Sequence, residues 1–142
     1  MSLEILEAKD AIREIIDHFS NLECDVAAQR ELFTPDAHIM VRMGGKLAMD
    51  IHGAEEMVQQ FGAFTASVKA SHHMNGQQVI EVDGETATDT HYCRAALLTT
   101  EDGADYFSDN YIRYTDTLKK IDGVWKISVR DQEFVMSEKR KA

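Results

Sequence analysis

Apolar side chains recur along this chain with two different periods, and the change of period divides it into two parts. In the first part the spacing is three or four residues, which is typical of helices with one apolar face. It predicts a helix over residues 3–21, a shorter one from Asp25 to Phe33 and a third from Ala54 to about Val68. Two short strands, His38 to Met43 and Lys46 to Ile51, are predicted between the second and third helices.

From Lys69 onward polar and apolar residues alternate, and three Asp-Gly pairs interrupt the alternation, at Asp83-Gly84, Asp102-Gly103 and Asp122-Gly123. Asp-Gly suits a two-residue type I′ turn, which joins antiparallel neighbours. The pattern predicts a single α+β domain over residues 1–142. Its three helices pack on a curved antiparallel sheet that closes into a cone around an internal pocket.

The three turns also predict the register of the strands, and hence which side chains share the inner face of the sheet. The second turn places His91 opposite Tyr114, and the third places Asp131 beside Tyr114. The first turn places Gly76 beside His91, where a small residue leaves room for a ligand. Because side chains alternate between faces, Arg130 is predicted to point outward.

A histidine beside a tyrosine and a carboxylate suits general acid–base catalysis. His91 would act as the base, Asp131 would orient its ring, and Tyr114 would donate to a substrate oxygen. Alternatively, the three side chains satisfy one another as a buried hydrogen-bond network. Asp89 and Asp116 are also predicted to face each other, either as a tuned acid pair or at a solvent-exposed rim.

Other positions are predicted to bind a ligand around this row: His72, His73, Asn110, Asp89, Gly76 and Trp125. His72 points inward and His73 outward if their strand is regular, because neighbouring residues face opposite ways. A β-bulge near Gly76 would exchange the two.

Composition narrows the functional classes. The chain has 25 acidic and 15 basic residues and a net charge of −10, which disfavours binding to nucleic acid. No apolar run approaches a membrane span, and the acidic start is unlike a secretory signal. The two cysteines, Cys24 and Cys93, indicate a reduced, cytoplasmic setting rather than a disulfide framework. We expect no metal site, because no metal-ligand spacing is present, and no cofactor.

Several segments together resemble the SnoaL-like branch of the NTF2-like superfamily. They are LFTPDA at residues 32–37, IHG at 51–53, EVDGETA at 81–87 and the stretch from Tyr114-Thr115-Asp116 to DGVWKI at 122–127. The resemblance implies a cone-shaped, cystatin-like α+β barrel, often dimeric through its sheet. Members include polyketide cyclases and enzymes similar to scytalone dehydratase, bile-acid dehydratase and ketosteroid isomerase.

The resemblance also implies where active members carry their polar groups. A Tyr-Asp pair commonly ends the first helix, at positions occupied here by Asn21 and Leu22. Scytalone dehydratase-like members have a further tyrosine on the first strand, at the position of Val41. The histidine region at His72-His73 and the inward His91 are the parts that match.

The sequence therefore predicts a protein that holds a small, largely apolar cyclic molecule and acts on it by cofactor-free acid–base chemistry. The reaction would be of the isomerase, dehydratase or cyclase type. Two alternatives stay open: a non-catalytic module for ligand binding or dimerisation, and a structural partner similar to an oxygenase β-subunit. A homodimer is expected from the resemblance.

Overall fold

The computed structural model describes all residues from Met1 to Ala142. Three α-helices and six strands follow one another in the chain, with a 3-10 turn at Arg30–Leu32. The helices are α1 (Leu3–Asn21), α2 (Val26–Gln29) and α3 (Ala54–Thr65). The strands are β1 (Phe33–Met43), β2 (Lys46–His52), β3 (Val68–Asp83), β4 (Thr86–Glu101), β5 (Ala104–Ile121) and β6 (Val124–Lys141). None of the helices is both long and apolar enough to span a membrane.

Helix α1 has the bounds that its apolar spacing predicts. Ser2 caps it, since its hydroxyl accepts a hydrogen bond from the backbone N–H of Ile5 at 3.2 Å. Its buried stripe comprises Ala8, Ile12, Ile16 and Ser20, and this stripe faces the sheet. The second predicted helix is confirmed with Asp25 as its N-cap, although its last turn is 3-10.

The six strands form one curved sheet in the order β2-β1-β6-β5-β4-β3. The α+β cone predicted from sequence is confirmed, with one difference. Strand β1 runs parallel to β6, whereas every other neighbouring pair is antiparallel, so the sheet is mixed. This follows from the chain path, because the long connection through β2 and α3 lets β1 lie beside the last strand.

The turns behave as predicted at two of the three Asp-Gly pairs. Asp102 and Asp122, together with the glycines that follow them, have positive φ, as a type I′ turn requires. At the first pair the prediction is wrong. Asp83 still pairs with Thr86, so the turn consists of Gly84 and Glu85. The β3–β4 register therefore differs from the predicted one by two residues. Because this shift is an even number, it does not change which side chains face inward.

Two β-bulges change which side chains face inward. In β3 the register shifts between Asn75 and Gln78, so both residues point to the inner face. In β6 the register shifts because Leu118 pairs with Ile127 while Thr117 pairs with Val129. Ser128 is therefore an extra residue, and the side chains from Val129 to Phe134 are turned to the face opposite the predicted one. A second shift, at Val135, restores the predicted faces from Met136 onward.

Candidate functional site

The inner face of the sheet carries a group of polar side chains, which we call the buried cluster: Asp89, His91, Tyr114, Asp116 and Arg130. Each is at most 4% exposed. Strand pairing brings them together, because His91 lies opposite Tyr114, Asp89 opposite Asp116, and Asp116 opposite Arg130. Polar groups buried this deeply are stable only if they bind one another or a ligand.

His91 is held by Asp89, two residues before it on the same face of β4. Its Nδ1 forms a hydrogen bond with the Asp89 carboxylate, whose other oxygen accepts from Gln78 Nε2 at 2.7 Å. This arrangement fixes the orientation of the imidazole ring. No protein group hydrogen-bonds the remaining ring nitrogen, Nε2.

Tyr114 lies against His91 as the register of the second turn predicts. The two rings stack with centroids 4.7 Å apart and an angle of 11° between their planes. Burial raises the pKa of the Tyr114 hydroxyl well above its ordinary value of 10.0, so the phenol is a hydrogen-bond donor at neutral pH.

Arg130 points into the buried cluster, contrary to the prediction that it faces outward. Its Nε and Nη2 donate to the two carboxylate oxygens of Asp116 at 3.0 and 2.8 Å. The guanidinium lies over the rings of Phe19 and Tyr114, at 4.1 and 4.4 Å from their centroids. Burial alone would lower the pKa of Arg130, but the attraction of Asp116 outweighs it and raises the pKa. The guanidinium therefore stays charged.

One donor of this guanidinium has no partner. Arg130 Nη1 is fully buried and makes no hydrogen bond to the protein. An unpaired charged donor in the interior is energetically unfavourable, so the position favours an incoming oxygen or anion.

A second histidine–carboxylate pair joins α1 to the sheet, and sequence reasoning missed its acidic member. His73 Nδ1 forms a hydrogen bond with the Glu23 carboxylate, which also accepts from Ser71 Oγ at 3.0 Å and from the backbone N–H of His73 at 3.2 Å. The side chains of His73 and Glu23 are 13% and 33% exposed. Unlike the buried cluster, the Glu23–His73 pair can therefore be reached from solvent.

Glu23 adopts an unusual backbone conformation to reach His73. It follows α1 with φ of 55°, the left-handed region that costs a residue other than glycine about 1–2 kcal/mol. Burial on its own would raise the pKa of the Glu23 carboxyl, but the hydrogen bonds from His73 and Ser71 outweigh it, so the pKa lies below the ordinary 4.5. No sequence signal marks this residue. The resemblance implies an acidic residue one position earlier, where this chain has Leu22.

Asp131 does not orient His91, and that prediction is wrong. The bulge at Ser128 turns Asp131 to the outer face, where Arg42 Nε donates to its two oxygens at 2.9 and 3.2 Å. Asp89, predicted only as a binding residue, occupies the place beside His91 instead. The physical reason is the alternation of faces along a strand, which a single extra residue reverses.

Among the two neighbouring histidines, the bulge in β3 selects His73 as the inward one. His72 is exposed and pairs with Ala96 on the outer side. Gly76 lies in the bulge near Tyr92 rather than beside His91, because Gln78 is the residue opposite His91. The alternative in which a bulge exchanges the two histidines therefore describes the molecule.

The two remaining predicted positions are buried at opposite ends of the inner face. Asn110 donates to the carbonyl oxygen of Ala95 at 3.0 Å and accepts from Ser137 Oγ at 2.9 Å. Trp125 belongs to the main apolar core together with Ile127 and Leu118. Its indole is therefore part of the packing at the end away from the Glu23–His73 pair.

An apolar surface separates the two histidine pairs. We call it the apolar wall, and it comprises Cys93, Ala95, Ile112 and Phe134. His73 lies opposite Ala95, and Ala95 is four residues from His91 along β4, or about 13 Å. A small apolar molecule lying along the wall would have a polar group near each end.

Two hollows of the surface are lined by neither His73 nor His91. One of about 650 Å³ lies near Phe33, Pro35 and Lys126. The other, of about 550 Å³, is on the outer face of the sheet beside Met74 and Met136, and Cys93 and Ile112 of the apolar wall also contribute to its lining. Solvent reaches the inner polar groups at the Glu23–His73 pair, whose side chains are partly exposed.

The buried cluster contains a group with metal-ligand chemistry, Asp89, His91 and Asp116. It does not fit a metal ion well, because both oxygens of Asp116 already bind the guanidinium of Arg130. Arg130 supplies the positive charge that a metal would otherwise bring.

The fold and its inner polar groups define a small α+β cone of the kind that binds or transforms small molecules. The sequence profile of the SnoaL-like domain matches residues 4–131. The chain therefore belongs to the SnoaL-like domain family, in the NTF2-like superfamily. Among curated proteins, no sequence matches it.

Solved structures share the fold at low sequence identity. A protein provisionally named scytalone dehydratase, from Novosphingobium aromaticivorans, has a TM-score of 0.82 and 20% identity, covering 97% of this chain and 91% of that one. The type 2 hexachlorocyclohexane dehydrochlorinase LinA has a TM-score of 0.79 and 15% identity, covering 97% and 92%. An NTF2-like protein with a cystatin-like fold, also from N. aromaticivorans, has a TM-score of 0.69 and 21% identity, covering 94% and 85%.

Proposed function

We propose that this protein catalyses a cofactor-free elimination on a small, largely apolar cyclic molecule, with His73 as the general base and Glu23 as the residue that orients it. The observation that carries the proposal is the hydrogen-bonded Glu23–His73 pair, partly exposed and with the Nε2 of His73 free of protein partners. A base must reach its substrate, and this is the inner histidine that solvent reaches.

His91, the base expected from sequence, takes a different role in this proposal. His91 is 1% exposed, whereas the side chain of His73 is 13% exposed, so His73 is the more accessible of the two inner histidines. The charged and polar groups around it suit stabilisation of a negative charge instead. The unpartnered Nη1 of Arg130 and the hydroxyl of Tyr114 are donors that a substrate oxygen would satisfy.

The proposed reaction removes water from a β-hydroxy ketone. Nε2 of His73 takes the proton on the carbon next to the carbonyl, and the C–H electron pair moves to form an enolate. Among the donors of the buried cluster, Arg130 would stabilise the enolate oxygen, because its guanidinium lies 4.1 Å from the ring centroid of Phe19, four residues before Glu23, and its Nη1 has no partner. The enolate then re-forms the carbonyl and a C=C bond as the C–O bond breaks. The leaving hydroxide takes the proton from His73, which regenerates the base and releases water.

Two further observations support an elimination and the class of substrate. Structural neighbours are named as a dehydratase and a dehydrochlorinase, and the reactions in both names are eliminations. The apolar wall between the two polar ends suits a ring system with few polar groups.

The experiment compares variants of neighbouring histidines on a panel of cyclic β-hydroxy ketones. We expect His73→Gln to lower kcat/KM by about 10²–10⁴-fold, which is typical for loss of a general base. His72→Gln is the matched control, since His72 is exposed on the other face of the same strand, and it should leave turnover unchanged.

Two outcomes would overturn the assignment of the base. Equal turnover of His73→Gln and His72→Gln would exclude His73. Loss of turnover in a stably folded His91→Gln, with His73→Gln still active, would restore His91 as the base.

The second candidate function is a non-catalytic module that binds a ligand or pairs with a second copy of the chain. The outer face of the sheet favours it, because Met74 and Met136 are 55% and 61% exposed beside the outer hollow. A homodimer through this face would be disrupted by Met136→Lys, which sedimentation measurements would detect. Tight binding of cyclic ketones without any turnover would favour the ligand-binding form of this candidate.

A further inference from the structure

A second group of titratable side chains lies on the opposite side of the sheet, at its β2 edge, and the proposed reaction does not use it. His38 on β1 and His52 on β2 are directly opposite each other. Their imidazole rings stack with centroids 4.7 Å apart and an angle of 11° between the planes. The two rings are therefore nearly parallel, and the Nε2 atom of each lies near Asp50.

Asp50 completes this group. It lies two residues before His52, on the same face of β2. Its Oδ1 is 2.5 Å from Nε2 of His38, and its Oδ2 is 3.4 Å from Nε2 of His52. One potential ligand atom from each of the three residues lies within 4.8 Å of the other two.

The charge around Asp50 differs from that around the carboxylates of the buried cluster. Asp116 has the guanidinium of Arg130 on both of its oxygens, whereas the ion pairs of Asp50 are with the two histidines alone. The group thus offers one anionic oxygen and two imidazole nitrogens, without a competing lysine or arginine.

The distances suit a transition-metal ion. Ligand atoms about 2.0–2.2 Å from a tetrahedral zinc ion are about 3.3–3.5 Å from one another. The Asp50–His52 separation of 3.4 Å already has this value, and the 2.5 Å between Asp50 and His38 must open slightly. The side chains can move, because those of His38, Asp50 and His52 are 37%, 45% and 70% exposed.

We propose that His38, Asp50 and His52 form a binding site for a divalent transition-metal ion such as Zn²⁺. Two histidines and one carboxylate fill three positions of a tetrahedral ion and leave the fourth open to solvent or to an external ligand. Linear spacing does not disclose this site, because the two histidines meet by pairing across strands.

The site also has a structural consequence. Strand β2 is at the edge of the sheet and has β1 as its one neighbouring strand. A metal ion held by His38 from β1 and by Asp50 and His52 from β2 cross-links the two strands. Binding to the folded state alone raises the thermal midpoint, and it slows amide exchange where the edge strand is tied.

The test uses the full chain, freed of metal with a chelator and titrated with Zn²⁺ in a calorimeter. We expect the wild type and the control His72→Ala, which removes another exposed histidine, to bind one equivalent with the same affinity. His52→Ala and Asp50→Asn should weaken that binding about tenfold or more. Circular dichroism checks that each variant is folded, as expected for side chains on the surface.

A second measurement separates this site from other ligands in the chain. At the same Zn²⁺ concentration, the rise in thermal midpoint and the slowing of amide exchange in Lys46–His52 should be much smaller for His52→Ala than for the wild type and His72→Ala. The proposal is overturned if the wild type shows no saturable binding, or if His52→Ala binds as tightly as the wild type. It is equally overturned if His73→Ala abolishes binding that His52→Ala retains, because the ion would then lie at the Glu23–His73 pair.

Discussion

Arg130 and Asp116 form an ion pair with two hydrogen bonds from which water is almost excluded. The bonds measure 3.0 and 2.8 Å, and the side chains are 1% and 0% exposed. The same guanidinium is also attracted by Asp89, the carboxylate that holds His91. The positive charge of Arg130 therefore allows the carboxylates of Asp89 and Asp116 to be buried together on the inner face.

This relationship predicts the stability of a matched pair of variants. Arg130→Met should lower the free energy of unfolding by about 3–5 kcal/mol, because it leaves Asp116 charged, buried and unpaired. Arg94→Met is the control, since Arg94 binds Asp109 with a similar pair of bonds, at 2.9 and 2.7 Å, but is 53% exposed. It should lower the free energy by about 1 kcal/mol or less. Urea unfolding measures both, and equal losses would contradict the prediction.

The pair also explains why the register of β6 could not be read from its turn. A regular ladder from the Asp122-Gly123 turn would place Val129 beside Asp116 and leave the carboxylates of Asp89 and Asp116 together without a cation. The extra residue at Ser128 brings Arg130 inward instead. Turn chemistry shows where a chain reverses, whereas an insertion within a strand is decided by what the strand buries.

Other parts of the fold could be predicted from the sequence. The apolar stripe of α1 gave its bounds, and the Asp102-Gly103 turn gave the pairing of His91 with Tyr114, because β4 and β5 pair without a bulge. The Glu23–His73 pair could not be predicted from the sequence. It joins residues from two elements, and its geometry depends on a left-handed residue that sequence patterns do not indicate.

The bulge itself makes a testable prediction. Deleting Ser128 should leave a folded protein, because Thr117 would still pair with Val129 and Asp116 with Arg130. The hydrogen bond from Ser128 Oγ to the carbonyl of Thr117, 3.1 Å long, would be lost, at a cost of about 1–2 kcal/mol.

Deletion of Thr90 is the contrasting control for the same measurement. It removes a residue from the uninterrupted β4–β5 ladder and turns one half of β4 to the wrong face. Thermal unfolding followed by circular dichroism should show a cooperative transition for the Ser128 deletion and none for the Thr90 deletion. Cooperative unfolding of both proteins, or of neither, would show that Ser128 is not the surplus residue.

Cys93 should be unreactive while the protein is folded. Burial raises the pKa of its thiol to about 11, so little thiolate exists near neutral pH, and the side chain lies within the apolar wall. In a Cys24→Ser variant, iodoacetamide at pH 8 should alkylate Cys93 only on unfolding, which mass spectrometry can follow with and without urea. Alkylation of the native protein at the rate of a free thiol would contradict this.

The Glu23–His73 pair should contribute a component of stability that disappears in acid. The pKa of Glu23 is lower in the folded protein than its ordinary 4.5, so the unfolded chain binds the proton more readily. The stabilisation is therefore complete above pH 4.5 and is lost as the pH falls through the folded pKa. The difference in unfolding free energy between the wild type and Glu23→Gln should shrink over that interval.

A double-mutant cycle assigns this pH dependence to the pair. The hydrogen bonds from His73 are the main causes that lower the pKa of Glu23 against the opposing effect of burial. In a His73→Gln background, Glu23→Gln should therefore change stability by a much smaller amount, and that amount should vary little between pH 3 and pH 7. An equal pH-dependent effect in both backgrounds would show that Glu23 is stabilised by groups other than His73. The pair would then lack the coupling that an oriented base requires.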